Sequence, residues 1–192
     1  MYNLRAGHRK IIWLGLGLEG VLFALALGLG WLLHTPPLRY LHLRPEHIAA
    51  AVVATIPLLL TMWWCSESTW GPFRRLTREI EETLAPLFAG CSAADFALIS
   101  LMAGVGEEAL FRGVIQTATA DALGPIAGLA LASTLFGLVH FITPTYALLA
   151  GLIGVYLGGL VMVFDNLLVA ILVHALYDFL ALMYWVRRQE SR

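Results

Sequence analysis

Charged residues are scarce in this chain of 192 residues, and their scarcity limits its possible environment. Asp, Glu, Lys and Arg together make up 13% of the sequence, whereas hydrophobic residues make up 59%. A soluble domain is typically about 25% charged and about 45–50% apolar. The composition, with a mean hydropathy of +0.79, therefore excludes a soluble globular protein and predicts an integral membrane protein. A net charge of −1 without a long basic run also argues against a nucleic-acid partner.

Several signatures of other protein classes are also absent. The two cysteines, Cys65 and Cys91, form neither a CxxC pair nor a disulfide framework. The sequence has no HExxH pattern of a zinc protease, and no nucleophile-elbow pattern surrounds Ser133. The chain therefore offers no disulfide scaffold and no good candidate for serine catalysis.

Six apolar segments approach or exceed the length needed to cross the hydrocarbon core, which takes about 20 helical residues. We therefore expect an all-α fold, a polytopic membrane helix bundle of about six transmembrane helices. The expected spans are residues 11–33, 48–64, 95–120, 125–141, 146–164 and 167–186.

Residues 65–92, between the second and third expected spans, carry a different pattern. Arginines and glutamates alternate there with apolar residues at roughly helical spacing, namely Phe73, Leu76, Ile80, Leu84 and Leu87. This pattern indicates one amphipathic helix in the membrane interface. A solvated connector would show a similar pattern.

The positive charges predict an orientation for the chain. If the N-terminus is inside, nine Lys and Arg residues lie in the inner segments 1–10, 65–92 and 187–192. Two, Arg39 and Arg44, lie outside. Because positive residues accumulate on the cytoplasmic side, we expect a multi-pass protein of the cell (inner) membrane with both termini cytoplasmic.

Seven ionisable residues lie within the apolar spans, where each costs about 2.5–3.5 kcal/mol at mid-bilayer. Glu19 stands alone in the first span. The other six are Glu107, Glu108, Arg112, His140, His174 and Asp178. Because such residues usually face a cavity or each other, these six mark a candidate functional site.

Helical spacing predicts how some of these residues pair. Glu108 and Arg112 are four residues apart, so they share one helix face. Glu107 points about 100° away from Glu108 and is free to face a different neighbour. His174 and Asp178 repeat the four-residue spacing.

Such side chains suffice to hydrolyse a peptide bond. A carboxylate in an apolar cavity can act as a general base, and a histidine beside it can share the proton of a water molecule. A second histidine with a polar partner one turn further on can donate a hydrogen bond to a developing oxyanion.

Three motifs in this region resemble those of a known family. Residues 107–112 (EEALFR) fit EExxxR, residues 136–140 (FGLVH) fit FxxxH, and residues 174–178 (HALYD) fit HxxxN/D. In this order and at membrane depth, they resemble the motifs of the CPBP family of intramembrane proteases. This family includes prenyl-protein CAAX endopeptidases and bacteriocin-processing or immunity-associated proteins.

The resemblance implies an intramembrane endopeptidase of glutamate type that acts on a membrane-associated protein or peptide. Glu107 with His140 would activate water, and His174 with Asp178 would form the oxyanion site. Three residues would support the geometry of the motifs, namely Glu108, Arg112 and Phe136. The chain would then comprise two N-terminal transmembrane helices (1–64), a cytoplasmic amphipathic connector (65–92), a four-helix catalytic core (93–186) and a cytoplasmic tail (187–192).

Asp178 departs from the CAAX-enzyme pattern, which has asparagine at this position. An asparagine amide donates a hydrogen bond, whereas an aspartate donates only when it is protonated. Asp178 could therefore be a neutral acid, accept a hydrogen bond from His174, or help to bind a metal. No cofactor is favoured, and zinc bound by Glu107, His140, His174 and Asp178 is the alternative.

Two other classes of protein also fit part of the pattern. A proton-coupled transporter would carry Glu, Arg and His in its spans, but transporters more often show internal repeats, which are not found here. A non-catalytic scaffold or immunity protein would keep the fold and tolerate the loss of Glu107, which is present.

Overall fold

A computed structural model describes the backbone of residues 2–190 and the side chains of residues 10–189. The described residues form seven helices, which we number α1 to α7. Their bounds are α1 Tyr2–Leu32, α2 Pro45–Glu67, α3 Gly71–Glu79 continued by a π-helical segment Ile80–Leu84 and by Ala85–Leu87, α4 Ala93–Glu108 continued by a π-helical segment Ala109–Gln116 and by Thr117–Leu123, α5 Pro125–Val139, α6 Pro144–Phe164 and α7 Leu167–Glu190. Residues 191–192 of the expected tail lie outside the described residues.

The expected membrane helix bundle is confirmed. Four helices are long and apolar enough to cross a bilayer, namely Lys10–Leu32, Pro45–Glu67, Pro144–Phe164 and Leu167–Gln189. The third expected span lies in the long helix α4, which carries the ionisable residues of the first motif. The fourth expected span, α5, is a shorter apolar helix of 15 residues.

Helix α5 ends two residues before the predicted boundary at residue 141. The backbone leaves the helical conformation at His140, and a short turn leads to Thr143. Thr143 caps α6 because its side-chain oxygen accepts a hydrogen bond from the backbone N–H of Tyr146. Pro144 occupies the first turn of α6, where its missing N–H costs nothing.

Helix α3 has the two faces that its pattern predicts. Phe73 and Leu76 are buried, whereas Arg74 and Arg75 on the other face are exposed. Leu87 differs from the expected apolar face and is 49% exposed. The π-helical turns that precede it change the number of residues per turn. The α-helical spacing therefore no longer predicts which face of the helix carries Leu87.

The π-helical segment in α4 was not predicted from the sequence. It carries Arg112, and the hydroxyl of Thr117 donates a hydrogen bond of 2.9 Å to the carbonyl of Arg112. Phe111 of this segment packs against Phe136 of α5, with the ring centroids 5.2 Å apart. Its Gly113 lies directly against the backbone of Pro37, where a Cβ atom would clash.

The loop between α1 and α2 fixes the start of α7. The backbone N–H of Leu167 donates to the carbonyl of Tyr40 at 2.9 Å. The fully buried Asn166 donates to the carbonyl of His42 and accepts from its N–H. These bonds hold the beginning of the helix that carries His174.

Candidate active site

Glu107 of α4 faces His140 at the end of α5. The Oε2 atom of Glu107 lies 3.5 Å from Nε2 of His140. This oxygen is buried and has no hydrogen-bond partner in the structure. Glu107 therefore faces a different neighbour from Glu108, as the helical angle between them predicts.

A hydrogen bond to the backbone of α5 determines the tautomer of His140. Nδ1 of His140 lies 2.8 Å from the carbonyl oxygen of Phe136, which can only accept a hydrogen bond. Nδ1 therefore carries the hydrogen, and in the neutral ring Nε2 presents a lone pair. The ring also stacks on that of Phe136, with centroids 4.4 Å apart, so its orientation is fixed from two sides.

His174 lies between two carboxylates. Its Nδ1 is 2.8 Å from Oε1 of Glu108, and its Nε2 is 3.4 Å from Oδ2 of Asp178. A ring whose two nitrogens both face carboxylates donates from both when it is protonated. The second distance is long for a direct hydrogen bond, so the contact with Asp178 is mainly electrostatic.

Arg112 is fully buried and holds three elements together. One of its amino groups donates to Oε1 of Glu108 at 2.8 Å, and the other donates to the carbonyl of Gly154 in α6 at 3.0 Å. Its guanidinium lies 4.4 Å from the ring centroid of Phe136. The predicted pair of Glu108 and Arg112 is therefore present.

The charges of this network compensate each other. When His174 is protonated, Arg112 and His174 carry two positive charges and Glu108 and Asp178 carry two negative charges. Buried charges are tolerated where they are paired and hydrogen-bonded. Glu107 lies outside this balance, and the ion-pair partner that faces its carboxylate is the histidine at position 140.

A cavity of about 430 Å³ opens onto this group. Its walls are mainly apolar side chains of α2, α3, α6 and α7. Three of the four residues predicted to be catalytic line it, namely His140, His174 and Asp178, as does Phe136. Two tyrosines, Tyr146 and Tyr177, face the same space.

The structure thus brings together the six ionisable residues that the sequence singles out on α4, α5 and α7. Sequence reasoning missed the contact between Glu108 and His174, because the relative register of two helices is not visible in one sequence. It also assigned no place to Glu19, which is buried beside Gly106. The position of Glu19 within an apolar span was the sequence signal that could have predicted its burial.

The side chains do not form a ready metal site. Within the part of the chain that the structure describes, no three His, Cys, Asp or Glu side chains are grouped as metal ligands. Nδ1 of His174 is engaged by Glu108, and its Nε2 faces Asp178. The zinc alternative that the sequence left open stays a prediction, and we derive no step through a metal.

Comparison with known proteins identifies the region that contains these residues. Residues 90–180 match the family model described as type II CAAX prenyl endopeptidase Rce1-like. This region is similar to that family. The Rce1-like region contains all three motifs, from Glu107 to Asp178, and the resemblance to the CPBP proteases is confirmed. No curated protein and no solved structure matches the chain.

Proposed function

We propose that the protein is an intramembrane endopeptidase in which Glu107 and His140 activate a water molecule. The observation that carries this proposal is the facing pair of acceptors, Oε2 of Glu107 and Nε2 of His140, 3.5 Å apart at the edge of an apolar cavity. Similarity to the Rce1-like family supports a protease, and the geometry supports the roles of the residues.

Two acceptors at this distance favour a donor between them. A water molecule at about 2.8 Å from both atoms would give one hydrogen to each. Its remaining lone pairs would then be free to attack a carbonyl carbon. Because Phe136 holds the hydrogen of His140 on Nδ1, the ring cannot compete as a donor at Nε2 while it is neutral.

The proposed reaction proceeds in two steps. As the water oxygen adds to the carbonyl carbon, one water proton passes to the carboxylate of Glu107 and the carbonyl electrons move to oxygen. The tetrahedral intermediate then collapses, the carbonyl forms again and the C–N bond breaks. The proton passes from the Glu107–His140 pair to the leaving amine, so the products are a carboxylate-bearing fragment and a free amine.

His174 and Asp178 support the oxyanion in this proposal. A protonated His174 places positive charge at the cavity wall, close to where the oxyanion forms. Asp178 faces Nε2 of that ring and orients it, which is one of the three roles that the sequence left open. Glu108 faces the other ring nitrogen, so the charge of His174 is balanced on both sides.

We further propose that the substrate is a membrane-associated protein or peptide, cleaved within the cell membrane by a protein with both termini in the cytoplasm. The mainly apolar cavity of about 430 Å³ would take a hydrophobic part of that substrate. The name of the matched family makes a prenylated CAAX peptide the natural first probe.

Comparative proteomics tests the proposed function directly. Cells that lack the gene would be complemented with wild type, Glu107→Gln or Asp121→Asn, and the terminal peptides of their membrane proteins would be compared. We expect a precursor to accumulate with Glu107→Gln and to be processed in the other two strains. Purified protein in liposomes should then cleave that precursor, with Glu107→Gln at least about 10²-fold slower.

Asp121→Asn is the control because it makes the same change from acid to amide at an exposed carboxylate. Asp121 is not among the residues that line the cavity. Equal processing by wild type and Glu107→Gln would overturn the proposal. Solute flux into protein-loaded liposomes, without cleavage, would instead indicate the transporter.

A further inference from the structure

The donors available to an oxyanion are fewer than the residues around the cavity suggest. An ionised Asp178 accepts hydrogen bonds and cannot give one. The hydrogen on Nε2 of His174 is directed toward Oδ2 of Asp178, and that on Nδ1 toward Glu108. Among these residues, a developing oxyanion therefore has only the Nε2–H of His174, which the Asp178 carboxylate also attracts.

Tyr146 has a free donor in the same cavity. It lines the cavity together with His140, His174 and Asp178. Its ring packs edge-on against His140, with the centroids 6.3 Å apart. Its hydroxyl makes no hydrogen bond with any of the described residues, in contrast to Tyr156, whose hydroxyl donates to Ala54.

The position of Tyr146 is well fixed by the start of α6. The cap formed by Thr143 receives the backbone N–H of Tyr146, and Pro144 restricts the first turn. The backbone that carries the phenol is therefore held at the first turn of α6, beside His140. Asp178 and Glu107 are both within electrostatic range of the phenol.

Tyr177 is the other cavity-lining phenol whose hydroxyl has no hydrogen bond within the described side chains. Its electrostatic neighbours are Tyr146, Asp178 and Cys65, and they do not include Glu107. Tyr177 also makes no ring contact with His140, in contrast to Tyr146, and serves as the control for loss of a cavity hydroxyl.

We infer that Tyr146 is a further catalytic residue, whose hydroxyl donates a hydrogen bond to the oxyanion of the tetrahedral intermediate. The inference rests on the proposed function and adds to it the donor that Asp178 does not provide. The phenol keeps its proton throughout, so the atoms and electrons of the two steps are unchanged. Such a bond strengthens as charge develops, so it lowers the barrier more than it tightens substrate binding.

Tyr146→Phe tests the inference because it removes the hydroxyl alone. With the precursor identified above, or a farnesylated CAAX peptide if that is cleaved, we expect kcat to fall about 10²-fold and KM to change little. Tyr177→Phe removes the other free cavity hydroxyl and should lower kcat much less than Tyr146→Phe does. The melting temperatures of both variants should match wild type, since neither hydroxyl holds other residues.

A double variant separates a donor from a merely structural tyrosine. Asp178→Asn places an amide donor in the same cavity. The kcat of the double variant Tyr146→Phe with Asp178→Asn should therefore be at least about tenfold higher than that of Tyr146→Phe alone. A wild-type kcat in Tyr146→Phe, or an equal loss in Tyr177→Phe, would overturn the inference alone. Absence of hydrolysis by the wild type would overturn the proposed function and the inference together.

Discussion

Oε1 of Glu108 accepts a hydrogen bond from Nη1 of Arg112 and also faces Nδ1 of His174, each at 2.8 Å. One carboxylate oxygen therefore joins the first motif, on α4, to the third motif, on α7. All three side chains are buried, so their charges interact without the screening that water gives. Four predictions follow from this and the neighbouring contacts.

Loss of the Glu108 charge should destabilise the protein strongly. Glu108→Gln removes the buried counter-charge of Arg112 and one of the two carboxylates that face His174, so we expect the free energy of unfolding to fall by about 3–5 kcal/mol. Denaturant unfolding of the purified protein measures the change. Asp121→Asn is the control, because Asp121 faces Arg39 at 3.9 Å in an exposed pair worth about 0–1 kcal/mol. Similar losses in the two variants would contradict the structure.

Gly106 should not tolerate a side chain. A Cβ atom there would lie 2.9 Å from the backbone oxygen of Glu19, so α1 and α4 would have to separate. We expect Gly106→Ala to reduce stability by about 1–3 kcal/mol, as overpacking does. Gly159→Ala has open space around it and should cost little. Melting curves of the two variants make the comparison, and a neutral Gly106→Ala would show that the helices do not meet there.

Chelation should leave proteolysis unchanged. The two nitrogens of His174 face carboxylates, so the proposed reaction uses its side chains without a metal. Cleavage would be measured after treatment with a zinc chelator and after zinc is added back. An activity that disappears with the chelator and returns with zinc would replace the Glu107–His140 mechanism with a metal-dependent one.

The two simplest replacements of Asp178 should behave differently. Asparagine keeps an oxygen that can accept from Nε2 of His174, whereas leucine does not. A hydrogen bond to a charged group is worth about 1.5–3 kcal/mol. Asp178→Asn should therefore retain at least about tenfold more activity than Asp178→Leu. Equal kcat values in both variants would mean that Asp178 does not act by orienting the ring.

The sequence predicted those features that depend on the chain within one helix. The pairing of Glu108 with Arg112 and the different facing of Glu107 follow from the helical angle, so both were accessible without a structure. The expected spans put Glu107 near the middle of the third, residues 95–120, and His140 next to the end of the fourth, residues 125–141. The two side chains meet because α5 ends beside the middle of α4.

Features that depend on contacts between helices were not predictable in this way. The π-helical segment Ala109–Gln116 has no distinctive spacing in the sequence, since it is held by packing and by the hydroxyl of Thr117. The free hydroxyl of Tyr146 became visible only once α6 was placed beside α5. The burial of Glu19 likewise depends on the close approach of α1 to Gly106.

Glu107 and Glu108 are chemically identical neighbours, and only the angular setting of α4 assigns them different partners. Two close backbone contacts restrict the rotation of α4 about its axis. The α1 backbone lies against Gly106, and Pro37 lies against Gly113. A rotation of α4 by one residue, about 100°, would place Glu108 rather than Glu107 opposite the histidine at position 140. The first helix and the loop after it thus hold the core in register although they contribute none of its three motifs.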